Sequence, residues 1–157
     1  MADNIIVAVF GDANTACNAA HAINDLKDTG GANFKLKYGI VVTKDAEGDV
    51  SVLESEAHPF RGTKVGAVVG GLIGLLGGAP IAAVAALLGA TVGGINDAGM
   101  AVLKSNMVTK VKSEMHPETT AVIIEADEEN PAAVDDIVAK GGGRVFRKPY
   151  SSVMSHS

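Results

Sequence analysis

A chain of 157 residues with a formal net charge of −5 has room for one domain with a proper core, and its mildly acidic balance gives no reason to expect nucleic acid. Aromatic residues make up 4 % and tryptophan is absent, so base-stacking platforms are not expected. Cys17 is the single cysteine, which excludes an internal disulfide and fits a reducing compartment.

The first element is Asn4–Phe10, NIIVAVF, apolar at consecutive positions and β-branched. That is the pattern of a central strand buried on both sides; with a short apolar run and no basic n-region it is not a signal peptide. Gly11 breaks it, and Asp12 or Asn14 can accept from the free amides of a helix over 12–28. Ala13, Ala16, Cys17, Ala20 and Ile23 fall on one face of that helix, which ends before Thr29-Gly30-Gly31. On such a face Cys17 reads as a small core residue, with no basic partner to lower its pKa. Phe34–Thr43 alternates, with Leu36, Tyr38, Ile40 and Val42 on one face and Lys35 and Lys37 on the other. After a turn at Asp45–Asp49, Val50–Glu56 returns as an edge strand.

From Gly62 to Ala98 the composition changes: no charged residue occurs between Lys64 and Asp97. Gly62, Gly66, Gly70, Gly74 and Gly78 recur every fourth residue, and Ala82, Ala86, Ala90, Gly94 and Ala98 continue the step after Pro80. On a helix such a step gives a smooth stripe that lets backbones approach closely. Each interior glycine disfavours a helix by about 1 kcal/mol relative to alanine, so the first stripe carries a penalty of roughly 3–5 kcal/mol. A lone exposed helix would not survive that; the stripe calls for a partner, which is the second half, another copy, or lipid. Pro80 divides the stretch into halves each shorter than the ~20 residues of a full span, and can start the second helix. The apolar residues of the first half favour insertion by roughly 2–4 kcal/mol, which the glycines erode. A helix–proline–helix hairpin is therefore expected, with Arg61, Lys64, Lys104, Lys110 and Lys112 holding both ends on the cytoplasmic side.

Met100, Leu103, Met107, Val111 and Met115 then run at helical spacing as an amphipathic helix whose methionines are core filler. Thr119–Ala126 is a second apolar strand. Asn130-Pro131 starts a helix over 131–140, with Val134, Ile137 and Val138 inward, that stops at Gly141-Gly142-Gly143. Arg144–Lys148 reads as a last strand and 151–157 as a disordered tail. Without the middle, the ends read β-α-β-β and β-α-β. The fold class expected is α+β: a ferredoxin-like, mainly antiparallel sheet with helices on one face, over 1–60 and 117–150. The glycine-zipper hairpin and the amphipathic helix, over 61–116, form an insertion.

These residues resemble a known family. Val9-Phe10-Gly11-Asp12, Ile40-Val41-Val42 before the Asp45–Gly48 turn, the stepped glycines, Ala79-Pro80, Gly94–Gly99, Thr120-Ala121-Val122 and Gly143-Arg144-Val145 stand in the order found in the bacterial predicted-membrane-protein family known as domain of unknown function 1269. The chain departs from it at Glu118-Thr119, where a Gly-Ser-like turn is expected. The resemblance implies a ferredoxin-like frame with a membrane-type insert, and no activity.

A search for chemistry returns little. There is no GxxxxGK[ST] and no GxGxxG after a strand. His21, His58, His116 and His156 are scattered, and Glu125–Glu129 lacks EF-hand spacing and reads as solvated surface. No catalytic, cofactor-binding or metal-ligating residue is nominated. The expectation is a non-enzymatic structural or interaction protein, its partners itself and membrane lipid, at the cytoplasmic face of the inner membrane. The other class is a soluble homo-oligomeric small-molecule-binding module with the hairpin buried between subunits.

Overall fold

The computed structural model describes residues 2–29, 34–52, 67–77 and 105–149. Five strands, β1 (Ala2–Phe10), β2 (Phe34–Lys44), β3 (Val50–Val52), β4 (Thr120–Glu128) and β5 (Arg144–Pro149), form one antiparallel sheet in the order β3-β2-β4-β1-β5. Among the described residues there are four helices: α1 (Ala13–Thr29), α2 (Ala67–Leu76), α3 (Asn106–Glu114) and α4 (Ala132–Lys140).

The consecutive apolar residues of β1 and β4 are explained by two separate cores. Ile6, Ala8 and Phe10 of β1, with Val122, Ile124 and Ala126 of β4, pack under Ala16, Ala20 and Ile23 of α1 and Val134 and Val138 of α4. Ile5, Val7 and Val9, with Ala121 and Ile123, pack under Leu72, Leu75 and Leu76 of α2 and Met107, Val108 and Val111 of α3. A strand flanked by partners and covered on both faces loses the in/out alternation. α1 and α4 do share one face, as the sequence implied. The other face is covered by α2 and α3, which the sequence pattern sets apart as an insertion without a place on the sheet.

A correction concerns β2. Its register against β4 slips between Leu36 and Tyr38, leaving Lys37 as a bulged residue. Leu36 therefore packs with the α1/α4 core and Tyr38 with the α2/α3 core, instead of sharing a face. Sequence alternation cannot register an inserted residue that flips the pleat.

Helix ends follow local chemistry. Thr15 donates its backbone N–H to Asp12 Oδ1 at 2.7 Å and its hydroxyl to Asp12 Oδ2 at 3.0 Å, so Asp12 is the cap of α1. The Ala132 amide donates to Asn130 Oδ1 at 3.1 Å at the start of α4. At its end Gly143 N–H bonds Val138 O and Gly142 N–H bonds Ala139 O, with Gly142 at φ +70°, a Schellman closure. A Cβ on Gly143 would stand 2.6 Å from Phe10 Cε1 and 2.9 Å from Val9 O, so the chain crosses Phe10 only as glycine.

Candidate functional site

The glycine stripe is the feature nominated from sequence, and α2 carries its described part. Leu72, Leu75 and Leu76 are buried on the sheet. At about 100° per residue these three share one side of the helix, and Gly74 falls on the opposite side. Gly74 is half-buried. Gly62, Gly66, Gly78, Ala82, Ala86, Ala90, Gly94 and Ala98 lie outside the described residues, as do the second half of the hairpin, Met100, Leu103 and the 151–157 tail. α3 packs beside α2 and sinks Met107, Val108, Val111 and Met115 into the same core, which makes Met107 and Met115 filler.

A polar cluster that sequence reasoning missed lies on the other face. Glu125 and Glu128, expected in a solvated run, are buried. β4 continues to Glu128 between β1 and β2, so the run is central strand rather than a loop. Glu128 accepts from Asn4 Nδ2 at 2.7 Å, from Arg147 Nε at 2.8 Å and from Arg147 Nη2 at 3.1 Å. Asp135 Oδ1 of α4 forms an ion pair with Arg147 Nη2 at 3.0 Å. Burial works against the Arg147 charge, but hydrogen bonds to Glu128 and Asp135 hold its pKa above the ordinary value. A fork of donors meeting a carboxylate suits arginine and fixes its plane. The cluster joins β1, β4, β5 and α4. Arg147 Nη2 also donates to Pro131 O at 3.4 Å, so one guanidinium clasps the last strand to the central one and to the start of α4. The sequence signal was one acidic residue a few positions before a helix and one arginine in the last strand, too common a pairing to single out.

Among the described residues the other reactive side chains do not converge. Cys17 is half-buried on α1, and burial pushes its thiol up, away from nucleophilic behaviour. His21 and His116 are exposed on separate elements, while His58 and His156 lie outside the described residues. Among the described residues no group of three or more His, Cys, Asp or Glu could hold a metal ion.

The class this defines is an α+β protein with a five-stranded antiparallel sheet between helix pairs, one pair including a glycine-bearing helix. The chain belongs to the DUF1269 family, proteins of unknown function, whose profile matches residues 63–156. The match covers the glycine stretch from its second residue onward and everything from α3 to β5. The motifs Val9–Asp12 and Ile40–Val42, on which the resemblance also drew, precede it. No curated protein and no solved structure matches the chain.

Proposed function

We propose that this protein is a non-enzymatic structural or interaction protein that assembles with copies of itself through its small-residue helix faces. The frame reads as ferredoxin-like: with β3 set aside, the strand order is β2-β4-β1-β5. The supporting observation is the orientation of α2. Its leucines are taken up by the sheet, and Gly74, one helical turn after Gly70 in the stripe, is turned the other way. A helix that carries the cost of glycine on its outer side needs a close-packed neighbour there to offset it. In the proposed assembly the rest of the stripe, from Gly62 to Ala98, supplies that neighbour within or between copies, at the cytoplasmic face of a membrane.

One observation favours the second reading, a soluble homo-oligomeric module with the hairpin between subunits. The leucines of α2 already have a protein partner in the sheet.

Gly70→Ile tests self-assembly. In an exposed helix the substitution raises helix propensity and is neutral or stabilising, whereas in a zipper it overpacks, at about 1–3 kcal/mol per site. The expected outcome is a smaller particle by sedimentation with the sheet still folded by circular dichroism. Leu75→Ile, on the sheet side, is the volume-conserving control. An unchanged particle for Gly70→Ile would overturn the proposal. Sedimentation with and without detergent separates the two readings, because only the membrane form needs detergent to stay dispersed.

A further inference from the structure

β5 is a sheet edge: it pairs with β1, and no strand pairs with its other side among the described residues. α3 runs beside that edge. Its C-terminal end is tied there by Glu114, whose Oε1 lies 3.4 Å from Arg144 Nη1. Toward the N-terminal end of α3 the two elements part around an open cavity of about 600 Å³.

The lining of that cavity is informative. Four consecutive residues of β5, Val145 to Lys148, border it. Val145 packs with the α1/α4 core and Phe146 with the α2/α3 core. Because successive strand residues point to opposite faces, a cavity bordered by all four follows the strand's edge, where backbone N–H and C=O groups stand. The facing wall comes from Met107 and Lys110 of α3. Among the described residues no carboxylate lines the cavity, in a chain whose net charge is −5. Lys110 and Lys148 form no ion pair among the described residues, whereas the Arg147 guanidinium is held by Glu128 and Asp135.

A second copy of β5 does not suit this edge. Antiparallel self-pairing centred on Phe146 sets Arg144 opposite Lys148, and centring on Arg147 sets that residue opposite itself. Like charges directly opposite destabilise a strand pair. The same charges complement an acidic strand. We propose that β5 and α3 form a docking groove for an extended acidic peptide segment of a partner protein, which adds to the sheet as a further strand. Backbone hydrogen bonds along β5 hold it, Lys110 and Lys148 meet its carboxylates, and Phe146 and Met107 receive an apolar side chain between them. This does not rest on self-assembly, which concerns a different element.

The test uses the full chain and a fluorescein-labelled octapeptide, Glu-Thr-Val-Thr-Glu-Thr-Val-Thr, which carries its Glu and Val on one face of an added strand, read by fluorescence anisotropy. Saturable binding is expected, weakened about tenfold or more by the double substitution Lys110→Glu/Lys148→Glu. Two further peptides, N-methylated at alternate amides in opposite phases, need no protein variant. One phase should lose binding about tenfold or more and the other should be tolerated, because only alternate amides of an added strand face the sheet. Indifference to both phases would overturn strand addition. Absence of peptide binding would also overturn it. Binding of inorganic phosphate or phosphatidylglycerol vesicles in place of the peptide would do the same, and would assign the lysines to a small anion or a headgroup.

Discussion

Glu118 holds φ at +71°, a left-handed conformation that an L side chain adopts at a cost, while its amide donates to Lys44 O at 2.7 Å. It is the position where the family resemblance called for a glycine-type turn, and the backbone has kept the turn with a glutamate in it. Glu118→Gly is expected to stabilise the fold by about 1 kcal/mol, seen as a higher urea midpoint at unchanged slope. A lowered midpoint would show that the turn is not strained. Asp12 offers a pH test. The hydrogen bond from the Thr15 amide, then that from the Thr15 hydroxyl, lowers its carboxyl below the ordinary 3.8. The unfolded chain therefore takes up the proton first, and stability falls as pH drops from the ordinary value through the lowered one, with the contribution complete above that window. Asparagine caps as well but does not titrate, so Asp12→Asn should lose stability less steeply than the wild type there. Parallel acid-denaturation curves would show that the carboxylate adds nothing. Asp12 was legible because a cap is local to its helix. The φ of Glu118 was not legible from the residue type, and neither was the closeness of Gly143 to Phe10, which brings together positions far apart in sequence.

At the scale of elements, the strands and helices followed their apolar spacing to within a residue or two at most ends. The exceptions have physical causes. Leu36 changed face because Lys37 bulges out of the pairing with β4. Glu128 was read as surface because a carboxylate in a run of acids is ordinarily solvated, and only Asn4 and Arg147 make its burial tolerable. Those partners lie in the first and last strands, beyond any local pattern. The clasp predicts an asymmetry. Arg147→Met leaves Glu128 buried beside Asn4 without its counter-charge, and should cost about 3–5 kcal/mol. Adding Glu128→Leu should recover a large part of that loss. Urea titrations of the two single variants and the double variant measure the coupling, and additive losses would rule out a clasp.

For the whole molecule, the β-α-β units at each end were readable, but the place of the inserted helices was not. Leu72, Leu75 and Leu76 would look equally at home in lipid or on a sheet, since the apolar stripe is the same for both. α2 lies on the sheet beside α3 and completes the second core. Leu72→Ala should then lower the folding stability of the frame by about 2–5 kcal/mol, measured by urea denaturation in the absence of lipid. A frame indifferent to that change would mean that α2 contributes its leucines elsewhere.

The position of β1 has a consequence in time. It lies between β4 and β5, and its pairings run from Phe10 to Thr120 on one side and from Val9 to Arg144 on the other. More than a hundred residues must leave the ribosome before the first of those partners exists. At about 5–20 residues per second, the apolar strand waits roughly 5–25 seconds with neither neighbour. Synthesis therefore leaves this apolar strand without its sheet neighbours until β4 and then β5 have been made. A growing polypeptide of this kind depends on whatever occupies that strand in the interval, and a pause in translation before β4 lengthens its exposure.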